Sequence, residues 1–520
     1  MGLLSNFGYC GPSYAGPYAS GGNLGMSQVF DSERCINLYP EPARGGNPKT
    51  DMEMVGRPGL SLFGTLPQSP VRGLWAGDFR LFAVGGTHLY EMNTNGSVKT
   101  DYGAMPGSLG GQSPCKIIGN GNQLAVMDPT VNNGGQLPGE IFVINGGAMV
   151  AEFTGASLSY LDGFFFAVNS AGGGIINQVA SSAFLNGNNW PGLNFIQRTG
   201  ASDLVLQTEA INGQLWIFGT KTIEVWFDAG NTAFPLQRLP GATLNIGLLC
   251  RFSIVKYYNT LVWIGSDEQG YATVYMANGL APQKISNPGV EYMLGNYAGN
   301  AQDLTGAICY GYREGGHTFY CINLKNAINH TGGTGLTLVY DLDTGLWHER
   351  TFYLGGGNAG MFLPQTVASE AAFGGQGDYV FAGDWNSGNI YLQSLSNPSD
   401  DGTAIQYIRR APHVSKGNRW IFYSSLEIDA DIGTAQMQLD YSNDGGRTFP
   451  TAHRRGPISA STTAAYGSAG GGYGQFKFRQ MGRSRDRVFQ TTILDSANRV
   501  RLIGANLYGR PGNAMATEQP

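Results

Sequence analysis

The sequence predicts an all-β protein, on three observations. First, apolar and aromatic residues alternate at period two, as over residues 212–230. There Leu215, Ile217, Ile223, Val225 and Phe227 flank a short polar turn at 219–222, which reads as a β-hairpin. Second, glycine supplies 79 of 520 residues with no G-X-Y period, so it serves tight turns rather than a collagen helix. Third, almost no long stretch carries apolar residues at helical spacing.

In chain order, residues 1–69 are rich in Gly, Pro, Ser and Asn and read as an extended arm with few strands. The segments CINLYPEP (35–42) and GRPGLSLFG (56–64) hold too many prolines for a helix interior. Such an arm is ordered only by packing on its own domain or on a neighbouring subunit. A loose strand–turn–strand repeat follows over residues 70–395. Its first strands are FRLFAV (79–84), NQLAVM (122–127), GFFFAV (163–168), QLWIFG (214–219), TLVWIG (260–265), HTFYCI (317–322) and DYVFAG (378–383). Partner strands follow six of them, the third copy being degenerate. A spacing of roughly 40–60 residues is that of propeller blades, so a β-propeller-like body of about six or seven blades is expected, with a stacked sandwich array as the alternative. Trp216, Trp226 and Trp263 stand at matching places in these hairpins. DLDTGLWHER (341–350) looks like a kelch-type blade ending, which adds Trp347 as a fourth blade-core residue.

Residues 396–402, within SLSNPSDDG, read as the linker, and 403–513 as a C-terminal β-sandwich of six alternating strands expected to fold alone. A Gly/Ser/Ala loop is expected at 459–473 and a frayed tail at 514–520. Charge divides with this boundary. From residue 401 onward there are 15 Lys+Arg against 9 Asp+Glu, a surplus of 6. The first 400 residues carry the remaining 17 against 28, a deficit of 11, within a net charge of −5. Two regions with different partners are implied.

No apolar run is long enough to span a membrane, and the first residues lack the basic and apolar regions of a secretory signal. Six scattered cysteines form no C-x-x-C pair, giving no zinc site or disulfide framework and implying folding in a reducing cytoplasm. The six histidines show no metal-binding pairing. Asp429, Asp431 and Asp440 could be read as a calcium loop, but Gly433 stands one residue early for its turn and no glutamate closes it. GGGI (172–175) opens no helix and so cradles no phosphate. Neither cofactor, metal nor catalytic residue is expected. SNDGGRTF (442–449) matches the Asp-box of sialidases and related propellers, and reads as a turn device built from Ser442, Asp444 and Gly446. Lys477, Arg479, Arg483, Arg485 and Arg487 form a basic cluster. It reads either as a docking site for DNA phosphate or an acidic protein ring, or as a solvated sandwich edge.

These motifs, taken in order, resemble one family. CINLYPEP, GRPGLSLFGTLPQSPVRGL, LWIFGTKTIEVWFDAG with FPLQRLPGA, DLDTGLWHER, SNDGGRTF and GRSRDRVF are similar to segments of the packaged-DNA stabilisation proteins of short-tailed phages, also called tail hub or nozzle proteins. The likeness runs over about 35–510. The Gly-rich first 30 residues and the 459–473 loop depart from the pattern. The resemblance implies a virion protein of the phage tail, made in the host bacterial cytoplasm and without catalysis. It implies a homohexameric ring below the portal-adaptor ring, holding tail fibre, spike or needle proteins and passing double-stranded DNA non-specifically. Two other classes fit an all-β chain. A carbohydrate-active propeller enzyme would need convergent carboxylates and arginines, and a carbohydrate-binding adhesin would need an exposed aromatic platform.

Overall fold

The computed structural model describes residues 3–4, 32–43, 50, 52–131, 139–145, 147–169, 177–201, 203–231, 234–266, 270–298, 304–370, 373, 379–416, 419–460 and 473–512. Most of the first 31 residues, GGGI (172–175), nearly all of the 459–473 loop and the 514–520 tail lie outside them.

Among the described residues, seven antiparallel sheets follow one another around a ring. They occupy residues 71–104, 116–153, 159–197, 205–244, 247–284, 308–355 and 364–394, and become blades one to seven. Each hairpin read from the sequence is the central pair of one blade. Trp216 lies opposite Val225 in blade four, and Trp263 opposite Tyr275 in blade five. These central strands are covered on both faces, so they read as continuous apolar runs. The structure adds an inner and an outer strand to each hairpin.

Neighbouring blades share apolar cores. Leu81 and Tyr90 of blade one meet Phe381 and Ile390 of blade seven, which closes the ring. Between blades four and five, the indoles of Trp216 and Trp263 meet edge to face with centroids 6.3 Å apart, both almost wholly buried. Trp347 lies in the core between blades five and six and donates its indole N–H to the Ile285 carbonyl at 3.0 Å. Trp226 is only half-buried, against the core between blades three and four.

The fourth strand of blade seven comes from the other end of the chain. Gly59–Thr65 pairs antiparallel with Asn389–Ser394. Here close approach demands glycine: a Cβ on Gly64 would stand 2.0 Å from the Gly96 carbonyl oxygen of blade one.

The C-terminal region is a two-sheet sandwich, and the arm contributes to both sheets. One sheet runs Leu38–Pro42, Met52–Gly56, Arg501–Pro511, Ile421–Asp431, Tyr473–Arg479. The other runs Arg34–Ile36, Ile405–Arg410, Asp486–Asp495, Met437–Ser442, Arg455–Ile458, and joins blade six because Arg34–Ile36 also pairs with Leu346–Gly355. Their shared core includes Cys35 and Met54 from the arm with Tyr407, Leu426, Phe476, Phe489 and Leu502. The arm is thus a set of strands divided between two bodies, rather than an irregular extension. Its prolines are tolerated because Leu38–Pro42 is an edge strand. Nor do 396–402 form a free linker: Gly59 and Leu60 donate backbone N–H groups to Asn397 and Ser399, and Asp400 is buried.

Candidate docking surface

Strand Ile421–Asp431 begins beside Trp420, and its register sets Phe422 between Arg483 on one neighbouring strand and Arg510 on the other. The guanidinium of Arg483 lies 4.6 Å from the Trp420 ring centre and 5.9 Å from that of Phe422. Arg485 stacks on Trp420 at 5.0 Å, and Arg510 on Phe422 at 5.7 Å. All three arginines are exposed, as is Trp420 at 36 %. None of the three is paired with a carboxylate of a described residue. The surface therefore offers rigid guanidinium forks on aromatic supports, an arrangement suited to carboxylate or phosphate oxygens.

The remaining members of the sequence-predicted cluster separate. Lys477 sits opposite Glu427 on the neighbouring strand and pairs with its carboxylate. Arg479 is exposed at the end of its strand. Arg487 is buried, and that corrects its place among docking residues. Its guanidinium donates to Asn443 Oδ1 at 2.8 Å and to the carbonyls of Met481 at 2.6 Å and Arg483 at 3.3 Å. It lies 4.3 Å from the Tyr423 ring centre and 4.1 Å from that of Tyr441. Burial lowers its pKa to about 10, so it stays charged at neutral pH. It ties down the loop that presents Arg483 and Arg485. Trp420, Phe422 and Arg510 escaped the sequence reading, although the alternation in RWIF (419–422) places Trp420 and Phe422 on one face.

In the Asp-box, Asp444 Oδ1 accepts from the Ser442 hydroxyl at 2.5 Å and the Thr448 N–H at 3.0 Å, and Oδ2 accepts from the Thr448 hydroxyl at 2.6 Å. Slight desolvation of Asp444 is outweighed by these bonds, which lower its pKa to about 2. Gly446 has φ +83°, and a Cβ there would meet Ser32 at 2.6 Å, so the turn also seats the arm. The polar side chains of Ser442, Asp444 and Thr448 all serve the turn.

The propeller axis holds a cavity of about 290 Å3 lined by blades two, four, five, six and seven. Across it the Lys116 ammonium of blade two pairs with the Glu209 carboxylate of blade four. Among the described residues no cluster of three His, Cys, Asp or Glu could hold a metal ion, and no helix is long and apolar enough to cross a membrane.

A family model described as bacteriophage P22 Gp10, beta-propeller, a phage stabilisation family, matches residues 17–343. No curated protein matches the sequence. Among solved structures, the N-terminal domain of Nup159 is similar at 9 % identity, covering 69 % of this chain and 98 % of that one, with a TM-score of 0.39. The Neurospora crassa Pan2 WD40 domain is similar at 10 % identity over 66 % and 96 %, with a TM-score of 0.37. An exo-beta-1,3-galactanase from Phanerochaete chrysosporium is similar at 11 % identity over 87 % and 100 %, with a TM-score of 0.30. Likenesses this distant say nothing of activity. The family match covers more than half of the chain and takes in blades one to five and most of blade six, so this chain belongs to the phage packaged-DNA stabilisation family of P22 Gp10, a structural phage protein with a β-propeller body.

Proposed function

We propose that the chain is a tail hub or nozzle subunit. Copies form a ring, a homohexamer, below the portal-adaptor ring. The ring retains packaged DNA, carries fibre, spike or needle proteins, and conducts DNA at ejection. The observation that carries this reading is the unpaired Arg483–Trp420–Arg485 stack on a basic sandwich joined to an acidic body. Closed rings need heterologous head-to-tail contacts, and opposite charge on the two ends of one subunit favours them. Trp and Arg are also the residue types that dominate interface energetics.

The propeller axis also bears on the DNA path. Its cavity is crossed by the Lys116–Glu209 pair, so side chains of blades two and four meet over the axis. Side chains that cross the axis support a path for the duplex between copies rather than through one propeller. An acidic body suits passage, since each neutralised phosphate would strengthen binding and retard the DNA.

Negative-stain microscopy and sedimentation of the intact chain test the proposal. Rings that dissociate on Arg483→Glu with Arg485→Glu, and on raising salt, are the expected result. A chain that remains monomeric at high concentration with purified adaptor present would overturn it.

A further inference from the structure

Beyond assembly, the cleft between blades one and two has the makings of a ligand site. Two independent features meet there. The first is the turn from the inner to the second strand of each blade. Blades three, four and six use Asp162-Gly163, Asn212-Gly213 and Gly315-Gly316, with φ positive at both positions. This is the type I′ geometry, and it favours Gly at the second position. Blade one places Phe79 there at φ +59°, after Asp78 at +53°. A bulky L-residue is strained in that region, yet the Phe79 side chain is 71 % exposed and supplies no core packing. The strain is unrepaid within the fold.

The second feature is the cleft itself, about 220 Å3, at whose mouth that turn stands. Trp75 and Tyr102 flank it and Phe82 lies between them, with ring centres 5.9 and 6.1 Å from theirs. A Cβ at Gly77 or Gly119 would fall 2.6 or 2.7 Å from the Trp75 indole, so bare backbone from two blades holds that ring in place. Arg80 lies 4.5 Å from the Phe82 ring centre, and Glu91 fixes it through two hydrogen bonds of 2.8 and 2.9 Å. Lys99 pairs with the same carboxylate. The Asp78 carboxylate, the Asn122 side-chain amide and the Trp75 indole N–H bond to no described residue.

We propose that this cleft binds a saccharide, seating one pyranose ring of a surface glycan against Trp75. The C–H face of a sugar packs on an aromatic ring, while its hydroxyls need planar polar groups that donate and accept in pairs. Asp78, Arg80 and Asn122 supply such groups beside a preset aromatic wall. The small volume and polar rim fit one sugar ring better than the apolar anchor of a peptide. In the proposed complex the exposed Phe79, between the lining residues Asp78 and Arg80, meets the outer edge of the sugar, which gives its strained conformation a use.

Saturation-transfer NMR on the intact chain tests this with the methyl glycosides of glucose, galactose, mannose, rhamnose, N-acetylglucosamine and glucuronic acid. At least one should receive transfer, strongest on the C–H protons of one face, and Trp75→Ala should abolish it. Asn122→Ala should weaken binding about five-fold, the worth of one hydrogen bond. Should Trp75→Ala fail to fold, Asn122→Ala decides, because that amide bonds nothing within the described protein. Phe79→Gly should raise Tm while lowering affinity, a combination that a purely structural turn does not produce. No transfer from any glycoside, or binding unchanged by both Trp75→Ala and Asn122→Ala, overturns the proposal. So does a response only to peptides.

Discussion

Arg57 and Asp400, 343 residues apart, form a fully buried ion pair, with Nη1–Oδ1 at 2.8 Å and Nη2–Oδ2 at 2.5 Å. Arg57 also donates to Asn37 Oδ1 at 2.8 Å and to the Thr351 carbonyl at 3.1 Å, and lies 4.2 Å from the Phe362 ring centre. One guanidinium thus joins the arm, blade six and the segment between propeller and sandwich. Removing one partner of a buried pair strands the other charge, so Arg57→Leu should cost about 3–5 kcal/mol. Urea denaturation measures this. Limited proteolysis should cut near 394–402 in the variant and spare the parent. Equal resistance in both would show that the pair does not hold the junction.

The sandwich should not fold from residues 401–520 alone, contrary to the sequence expectation. Without the arm, the core loses Cys35, Leu38 and Met54, and Arg501–Pro511 loses its neighbour Met52–Gly56. Three buried apolar side chains at about 25 cal/mol per Å2 contribute several kcal/mol, a large part of any domain's stability. Fusing residues 32–58 through a flexible linker should restore a cooperative transition. A cooperative melt of the bare fragment would refute the requirement.

Stability should fall as pH drops below about 6.5. Burial, with Arg350 and His317 nearby, holds the His348 imidazole well below its ordinary pKa. Burial, with Arg34 and Arg410, brings His330 to about 3. Such groups take up a proton only on unfolding, so the unfolded state gains as pH passes down through the unfolded value of about 6.5. His317 acts in the opposite sense. Its 2.7 Å bond to Asp341 raises its pKa, so its contribution is complete below 6.5 and fades as pH rises through the raised value. Around pH 5 the two lowered histidines set a slope of up to about 3 kcal/mol per pH unit. Denaturation at pH 5 and 7 checks this, and His348→Leu should roughly halve the slope.

Trp216→Ala should cost about 3–5 kcal/mol as a core truncation. Trp226→Ala, at a half-buried ring, should cost less. Thermal denaturation of the two variants ranks them. A larger loss for Trp226 would contradict the packing between blades four and five.

The central hairpins were legible because strands covered on both faces read as apolar runs. Outer strands were not. Val98–Ala104 carries Lys99, Thr100 and Asp101, with little to mark it as a strand. The arm strands hid behind prolines that an edge strand accepts. In the basic cluster, alternation suggests one face for Arg483, Arg485 and Arg487. The chain, however, breaks between Arg483–Ser484 and Asp486–Asp495, turning Arg487 inward. The type I′ strain at Phe79 has no sequence signal beyond the missing glycine.

The borrowed N-terminal strands set a timetable for synthesis. Residues 34–65 leave the ribosome before any blade, yet apart from the pairing of Leu38–Pro42 with Met52–Gly56 their partners in the sheets lie between 346 and 511. At about 5–20 residues per second, they wait roughly 25–95 s for the last of those partners. Individual blades can form behind them, but the ring cannot be latched until residues 389–394 are made, nor the sandwich filled until 501–511 follow. Such distant pairing is slow to find and leaves strand edges open to neighbouring nascent chains. Expression at lowered temperature or with chaperones should therefore raise the soluble yield more than any stabilising surface substitution.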